Sequence, residues 1–414
     1  MALVGCSDDP EQESRQLVTY ETRPCTTQFV EEGDSLNARS ADAMHATRAW
    51  EPPSGYYLYD DPSDATITNN AVYSLFKEQE NLFYKSIDVY FTRDGKAPLN
   101  GTFSYKADGK WHLNMDIEEA DDYYLYGFIP KEVAKKATIT GNSSYSDGAV
   151  LNIQGLKTVT HSDVCVIVGA KDGPNEHTAV SSATGESLAT GNFKVHAQSV
   201  QIGADNTGSS NFIYLLFDHL YSTMAFNFLI DETYDALRTI KVRKLELIGY
   251  ADVHETNIKA RYNVEVKLKS NTTGSSPIKE IKFTPDPTSG NLAFEPIYEG
   301  EGVTLSHTTP TPFLGCFVPG QNTNFKLRTT YDVYDKNQAK DKDGNLVVDS
   351  DGNPVYNLIR KGCIADNAID LKDKFNTYSS LRGQMFKVTL KVIPTYLYVL
   401  SEPDLDNPTI TIEH

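Results

Sequence analysis

Phe386-Lys387-Val388-Thr389-Leu390-Lys391-Val392 alternates large apolar residues with polar ones. In an extended chain successive side chains point to opposite faces. Phe386, Val388, Leu390 and Val392 therefore share one face, and Lys387, Thr389 and Lys391 the other, as in a half-buried strand. Tyr262, Val264, Val266 and Leu268 repeat the pattern against Asn263, Glu265 and Lys267. Between such segments Asp-Gly recurs at Asp94-Gly95, Asp108-Gly109, Asp147-Gly148, Asp172-Gly173, Asp343-Gly344 and Asp351-Gly352, with Asn100-Gly101 beside them. A type I′ turn needs φ > 0 at both central residues, which Asp or Asn followed by Gly tolerates, so these dipeptides predict hairpin tips. The 24 Tyr and 18 Phe against 5 Met suit a pleated surface. Helical patterning is confined to Asn70–Glu80, Glu232–Arg238 and Asp366–Phe375, the last with Asp366 as N-cap. The expected fold is all-β, built of antiparallel β-sandwiches with a few short helices.

The chain has 414 residues, with 38 Lys and Arg against 56 Asp and Glu, a net charge of −18. That balance argues against nucleic acid as a partner, because phosphate binding draws its affinity from basic side chains. The longest apolar runs, Phe212–Phe217 and Val164–Val168, fall well short of the ~20 residues of a spanning helix. The length is enough for two domains with cores of their own. Residues 1–48 are polar and irregular, apart from a short β-like piece at Gln16–Tyr20, and read as a separate N-terminal segment or propeptide. An N-terminal β-sandwich domain is expected over 49–208 and a C-terminal one over 209–414. Phe212–Phe217 and Met224–Ile230 read as a pair of core strands opening the second.

No catalytic, cofactor or metal site is expected, and the chain does not read as an enzyme. Its nine histidines are scattered singly, without the spacing of zinc, nucleophile-elbow, phosphate-loop or dinucleotide motifs. Glu118-Glu119, Asp121-Asp122 and Asp60-Asp61 read as solvated turn residues, since glycosidase acids must face each other across a cleft. His219, between two apolar stretches, reads as a satisfied structural residue. Asp335–Asn353 has carboxylates at alternate positions, as calcium loops do, but Gly344 comes too early and no ligating Glu closes the loop. An exposed two-turn hairpin is expected there. Cys25, Cys165, Cys316 and Cys363 show no metal-type spacing and are expected as buried thiols rather than disulfides.

Leu3-Val4-Gly5-Cys6 has the form of a bacterial lipobox, with a small residue before the cysteine that would carry lipid. Only five residues precede Cys6, fewer than a signal's apolar core of about 7–15 residues. The true signal is therefore expected to start further upstream. Ser7-Asp8-Asp9 directly after the cysteine resembles the acidic surface-export signal of Bacteroidetes lipoproteins. Acyl chains on Cys6 would hold a precursor in the outer membrane.

Three places together resemble the Bacteroidales fimbrillins, the type V pilins and related fimbrium subunits. These are Cys6-Ser7-Asp8-Asp9, the segment from Phe217-Asp218-His219-Leu220 through Met224-Ala225-Phe226-Asn227-Phe228 to Ile240, and the closing run Phe386–Leu400 with Asp404–Ile412. The resemblance implies two tandem transthyretin-like β-sandwich domains and a lipid-anchored precursor carried to the cell surface. It also implies trimming after an arginine and polymerisation by β-strand exchange with other fimbrial subunits, in support of adhesion. The trimming site expected is Arg48–Ala49, because folded-looking sequence (Trp50, Tyr56, Tyr57, Tyr59) begins just after it; Arg39–Ser40 is the alternative. The donor strand expected is Thr409-Ile410-Thr411-Ile412, alternating and terminal, with Thr395–Leu400 a further candidate. Pro394, Pro403 and Pro408 would separate these pieces. The alternative function is a monomeric surface lipoprotein, an adhesin or glycan-binding module, whose Tyr56, Tyr57, Tyr59, Trp111, Tyr123 and Tyr124 could stack on a host or bacterial surface glycan.

Overall fold

The computed structural model describes residues 18–27, 56–58, 86–106, 111–115, 117, 121–173, 191–197, 212–270, 272, 276–321, 324–371, 382–393 and 404–413. Strands dominate them. The first half holds β1 (Val18–Thr27), β2 (Tyr56–Leu58), β3 (Ser86–Thr92), β4 (Leu99–Tyr105), β5 (Trp111–Met115), β6 (Asp121–Ile129) and β7 (Lys136–Gly141). It continues with β8 (Gly148–Lys157), β9 (Val159–Thr160), β10 (Cys165–Gly173) and β11 (Lys194–Ala197). After these come β12 (Phe212–His219), β13 (Ser222–Ile230), β14 (Arg238–Tyr250), β15 (Arg261–Lys269), β16 (Ile278–Pro285) and β17 (Glu295–Thr304). The last are β18 (Thr311–Phe317), β19 (Asn324–Gln338), β20 (Tyr356–Asp370), β21 (Met385–Ile393) and β22 (Asp404–Glu413). One helical turn, α1 (Glu232–Asp235), lies within the helix expected at 232–238; the Asp231 carboxylate caps it by accepting from the Thr233 amide at 3.0 Å. No described helix is long and apolar enough to cross a membrane.

Among the described residues, four sheets enclose two cores. The largest runs β10-β12-β1-β5-β4-β3-β6-β11, with β2 added alongside β1, and it curls until β10 also pairs with β6 at Cys165 and Ile129. A four-stranded sheet, β16-β15-β8-β7, contributes to the same core: Leu151, Ile153, Val264, Val266 and Leu268 join Phe91, Phe103, Trp111 and Tyr126. The second core lies between β22-β21-β13-β18-β9 and β17-β14-β19-β20, and is filled by Phe226, Phe228, Leu245, Leu327, Phe386, Val388 and Leu390. Full burial of each such side chain is worth about 1.5–3 kcal/mol. The opening heptapeptide behaves as its alternation dictates, with Phe386, Val388, Leu390 and Val392 inward.

The chain departs from the expected plan in several places. The boundary expected at 208/209 does not separate the two cores. Phe212–His219 is buried at every position, so it needs neighbours on both edges and both faces, and it finds them between β10 and β1 of the first sheet. Phe212–Phe217 and Met224–Ile230 are both core strands, but they are not a pair; the chain changes sheet at Leu220-Tyr221. The hairpin β15–β16 also returns to the first core by pairing along β8, while β9 joins the second through β18. A helix does not form at Asp366–Asp370, which continues β20: Ala365, Asn367 and Ile369 alternate inward, and Asp366 holds Arg328 at 2.7 Å instead of capping.

Turn chemistry held at some dipeptides and not at others. Gly95, Gly344 and Gly352 adopt φ of 73°, 85° and 84° at turns. In Asp335–Asn353 two turns follow one another: Asp341 accepts from the amides of Asp343 and Asn345, and Asp349 from those of Asp351 and Asn353. Asn100-Gly101 and Asp172-Gly173 instead lie inside β4 and β10. Gly101 serves close approach: a Cβ there would stand 3.0 Å from a Leu113 methyl.

Candidate functional site

The two described strands nearest the chain ends are held in opposite ways. β1 occupies the middle of the largest sheet. Along one edge Glu21–Thr26 runs parallel to Phe212–Phe217; along the other, Val18–Thr22 runs antiparallel to Trp111–Met115 and Cys25–Thr27 to Tyr56–Leu58. Tyr20 is fully buried, opposite Leu113, with its ring 5.8 Å from that of Phe91. Thr22 is buried opposite Trp111 and Ile213, and its hydroxyl donates to the Ile213 carbonyl at 2.5 Å. Glu21, between them, turns outward, with its carboxylate 3.9 Å from His112. Of the β-like piece read at Gln16–Tyr20, the described part, Val18–Tyr20, opens a longer, central strand.

Among the described strands, β22 lies at a sheet margin and pairs with β21 alone. Thr409–Glu413 runs antiparallel to Lys387–Lys391, then the register shifts so that Asp404 meets Ile393. Pro408 lacks an N–H and sits at that break. Ile410 and Ile412 hold the register positions opposite Leu390 and Val388, both fully buried in the second core. Near the far end of β21, the Asp231 carboxylate lies 3.5 Å from Lys391. Burial opposes its ionisation, but the Thr233 amide and Lys391 outweigh that and hold its pKa below the usual carboxylate value.

Of the residues singled out in the sequence, Cys6, Arg39, Ser40, Arg48 and Ala49 lie outside the described residues, as do Thr395–Leu400. Both arginines fall in the 28–55 link between β1 and β2, strands that pair with each other. Thr409–Ile412 lie within the paired run of β22. Among the aromatics offered for glycan stacking, Trp111 and Tyr123 are core residues, 0% and 4% exposed. Asp121 and Asp122 face cations, not each other: Arg93 lies 2.7 Å from Asp121, and Lys194 2.5 Å from Asp122. Cys165, Cys316 and Cys363 are thiols, not disulfides. His219 is buried and hydrogen-bonded to Asp163, as a structural histidine should be, but it also adjoins Cys165. That grouping was missed because its members come from separate strands; the only local hint is the two-residue spacing of Asp163 and Cys165.

Comparison with known proteins gives a distant likeness. No family model matches the chain, and no curated protein does. Among solved structures, a fimbrial protein from Bacteroides vulgatus is similar over 81% of this chain and 93% of its own, with 13% identity and a TM-score of 0.29. The fimbrial anchor protein Mfa2 from Porphyromonas gingivalis is similar over 95% of this chain and 97% of its own, with 8% identity and a TM-score of 0.24.

Proposed function

We propose that the chain is a structural subunit of a cell-surface fimbrium, exported as a lipoprotein through Cys6, trimmed after Arg48 (or Arg39) and polymerised by strand exchange. The observation that carries this reading is the place of β1. A strand from the segment that trimming would detach sits in the middle of the first sheet, with both candidate arginines between it and β2. Withdrawing it would leave Phe212–Phe217 and Trp111–Met115 with unpaired N–H and C=O groups, flanking a slot vacated by Tyr20. An alternating strand from another copy would satisfy both the ladder and the slot. Thr409–Ile412 has that pattern, with Ile410 and Ile412 spaced as Tyr20 and Thr22 are. Because one copy's strand would fill the next copy's slot, the contact does not close and a filament grows.

One observation favours the alternative, a monomeric surface adhesin: β22 already has a partner in its own chain. Limited digestion of the precursor with an arginine-specific protease separates the two. Cleavage in the link, with the N-terminal segment displaced as a ladder of oligomers forms, supports the fimbrial reading. A stable folded monomer after clean trimming supports the adhesin.

A further inference from the structure

Asp163 and Cys165 stand two residues apart where β10 begins, and His219, the last residue of β12, is the register partner of Cys165 across the ladder. Residues two apart on a strand and the residue opposite turn to one face. Cys165 Sγ lies 3.1 Å from Asp163 Oδ2 and 3.5 Å from His219 Nδ1, and His219 Nδ1 is hydrogen-bonded to that same oxygen. The three donor atoms lie within 4.8 Å of one another, on residues no more than 1% exposed. The second carboxylate oxygen, Asp163 Oδ1, is buried without any hydrogen-bond partner. Native interiors seldom leave a carboxylate oxygen so, and an ion is one of the things that explains it.

We infer that Asp163, Cys165 and His219 form a binding site for one divalent cation of the zinc class, held at the point where the chain leaves the first sheet for the second. Donor chemistry selects the class. A thiolate, an imidazole and a carboxylate suit a borderline cation, whereas calcium and magnesium take oxygen sets. Geometry agrees: tetrahedral zinc, with bonds of about 2.0–2.3 Å, sets its donor atoms about 3.3–3.6 Å apart. The thiol and imidazole already have that separation, and the Asp163 oxygen must draw back from both, opening its hydrogen bonds to His219 and Cys165. Charge agrees too. A dication with one thiolate and one carboxylate is neutral, which lowers the cost of burying the charges. Binding forms the metal–sulfur bond with the sulfur lone pair, and the Cys165 thiol proton leaves to solvent; no electron is transferred. Asp163 Oδ1 can add a second carboxylate contact, at the narrow bite of a chelating carboxylate, with the fourth tetrahedral corner left to an exogenous ligand. The site ties β10 to β12 and owes nothing to strand exchange.

Cobalt(II) is the probe, because it takes zinc's place and reports thiolate ligation by a charge-transfer absorption. The full chain is unfolded in chelator, refolded with cobalt and desalted, with circular dichroism checking the fold. The expected result is one retained equivalent, a thiolate-to-cobalt band bleached by added zinc, and an upward shift of the thermal midpoint. The band should survive in Cys316→Ser and Cys363→Ser, vanish in Cys165→Ser, and weaken in Asp163→Asn, which keeps the side-chain shape. Refolded wild-type chain without a thiolate band overturns the inference, and this needs no variant to fold. Undiminished binding in either Cys165→Ser or Asp163→Asn overturns it as well.

Discussion

The first core is completed by a strand from near the start of the chain, the second by a strand from near its end, and the two are retained very differently. β1 is gripped along both edges and drives Tyr20 into the interior, whereas β22 is gripped along one. Each ladder hydrogen bond nets only about 0.5–1.5 kcal/mol, but β1 would have to lose two rows of them together with a buried aromatic ring. It cannot leave by fraying. Cleavage in the 28–55 link would remove its tether without removing its contacts, so a cut segment stays seated until another strand displaces it. β22 can peel back from β21 at far smaller cost. The asymmetry suits the strand exchange proposed above, in which the slot stays shut until a donor strand arrives.

The largest effect is expected from a chain expressed without residues 1–48. With the edges of β12 and β5 that face β1 left unpaired, it should bind a hydrophobic dye strongly and oligomerise; a compact, dye-silent monomer would mean that β1 is dispensable and the contrast false. Next, Tyr20→Ala should lower the unfolding free energy by about 3–5 kcal/mol in denaturant titration, the usual loss for a buried aromatic. A loss below about 1 kcal/mol would place Tyr20 outside the working core.

A smaller change is expected in the second core at Asp332, whose side chain is 3% exposed. Burial works against its ionisation, but the Gly362 amide and the Arg243 guanidinium, each 2.8 Å away, outweigh it and hold the carboxyl below its ordinary value. A lowered folded pKa means stabilisation fully present above the unfolded value of about 3.9 and lost as pH falls through the folded one. Asp332→Asn should therefore lose about 1.5–3 kcal/mol at neutral pH and flatten the acid side of the stability curve. Last in size, ending the chain after residue 403 should shift the thermal midpoint less than either substitution, yet abolish the oligomer ladder after trimming. Ladders from the truncated chain would show that β22 is not the donor.

Strand-level structure was legible wherever one face is wet. Phe386–Val392 and Tyr262–Leu268 could be read because each alternate residue meets water or core. Asp366–Asp370 misled because Asp before an apolar run has the form of a helix cap, and only its pairing with Arg328 across β19 and β20 decides otherwise. Asn100-Gly101 misled for a related reason: the glycine answers to Leu113 on the next strand, not to a turn. The slot around β1 was not legible at all. Thr22 and Ile213 meet across 191 positions of sequence in a parallel pairing, and nothing near Thr22 records that partner. The same distance hid Asp163, Cys165 and His219 as a group, and it placed the domain boundary at a polar stretch the sheets ignore.

The hairpin β15–β16, which leaves the second half to lie along β8, has a mechanical consequence. Units strung like beads yield to tension one at a time, each lengthening the thread before its neighbour gives way. Here the halves are laced across each other, so neither can unravel while that seam holds. A single molecule stretched between its termini should therefore part in one rupture, and a sawtooth with two separate peaks would show that the lacing bears no load.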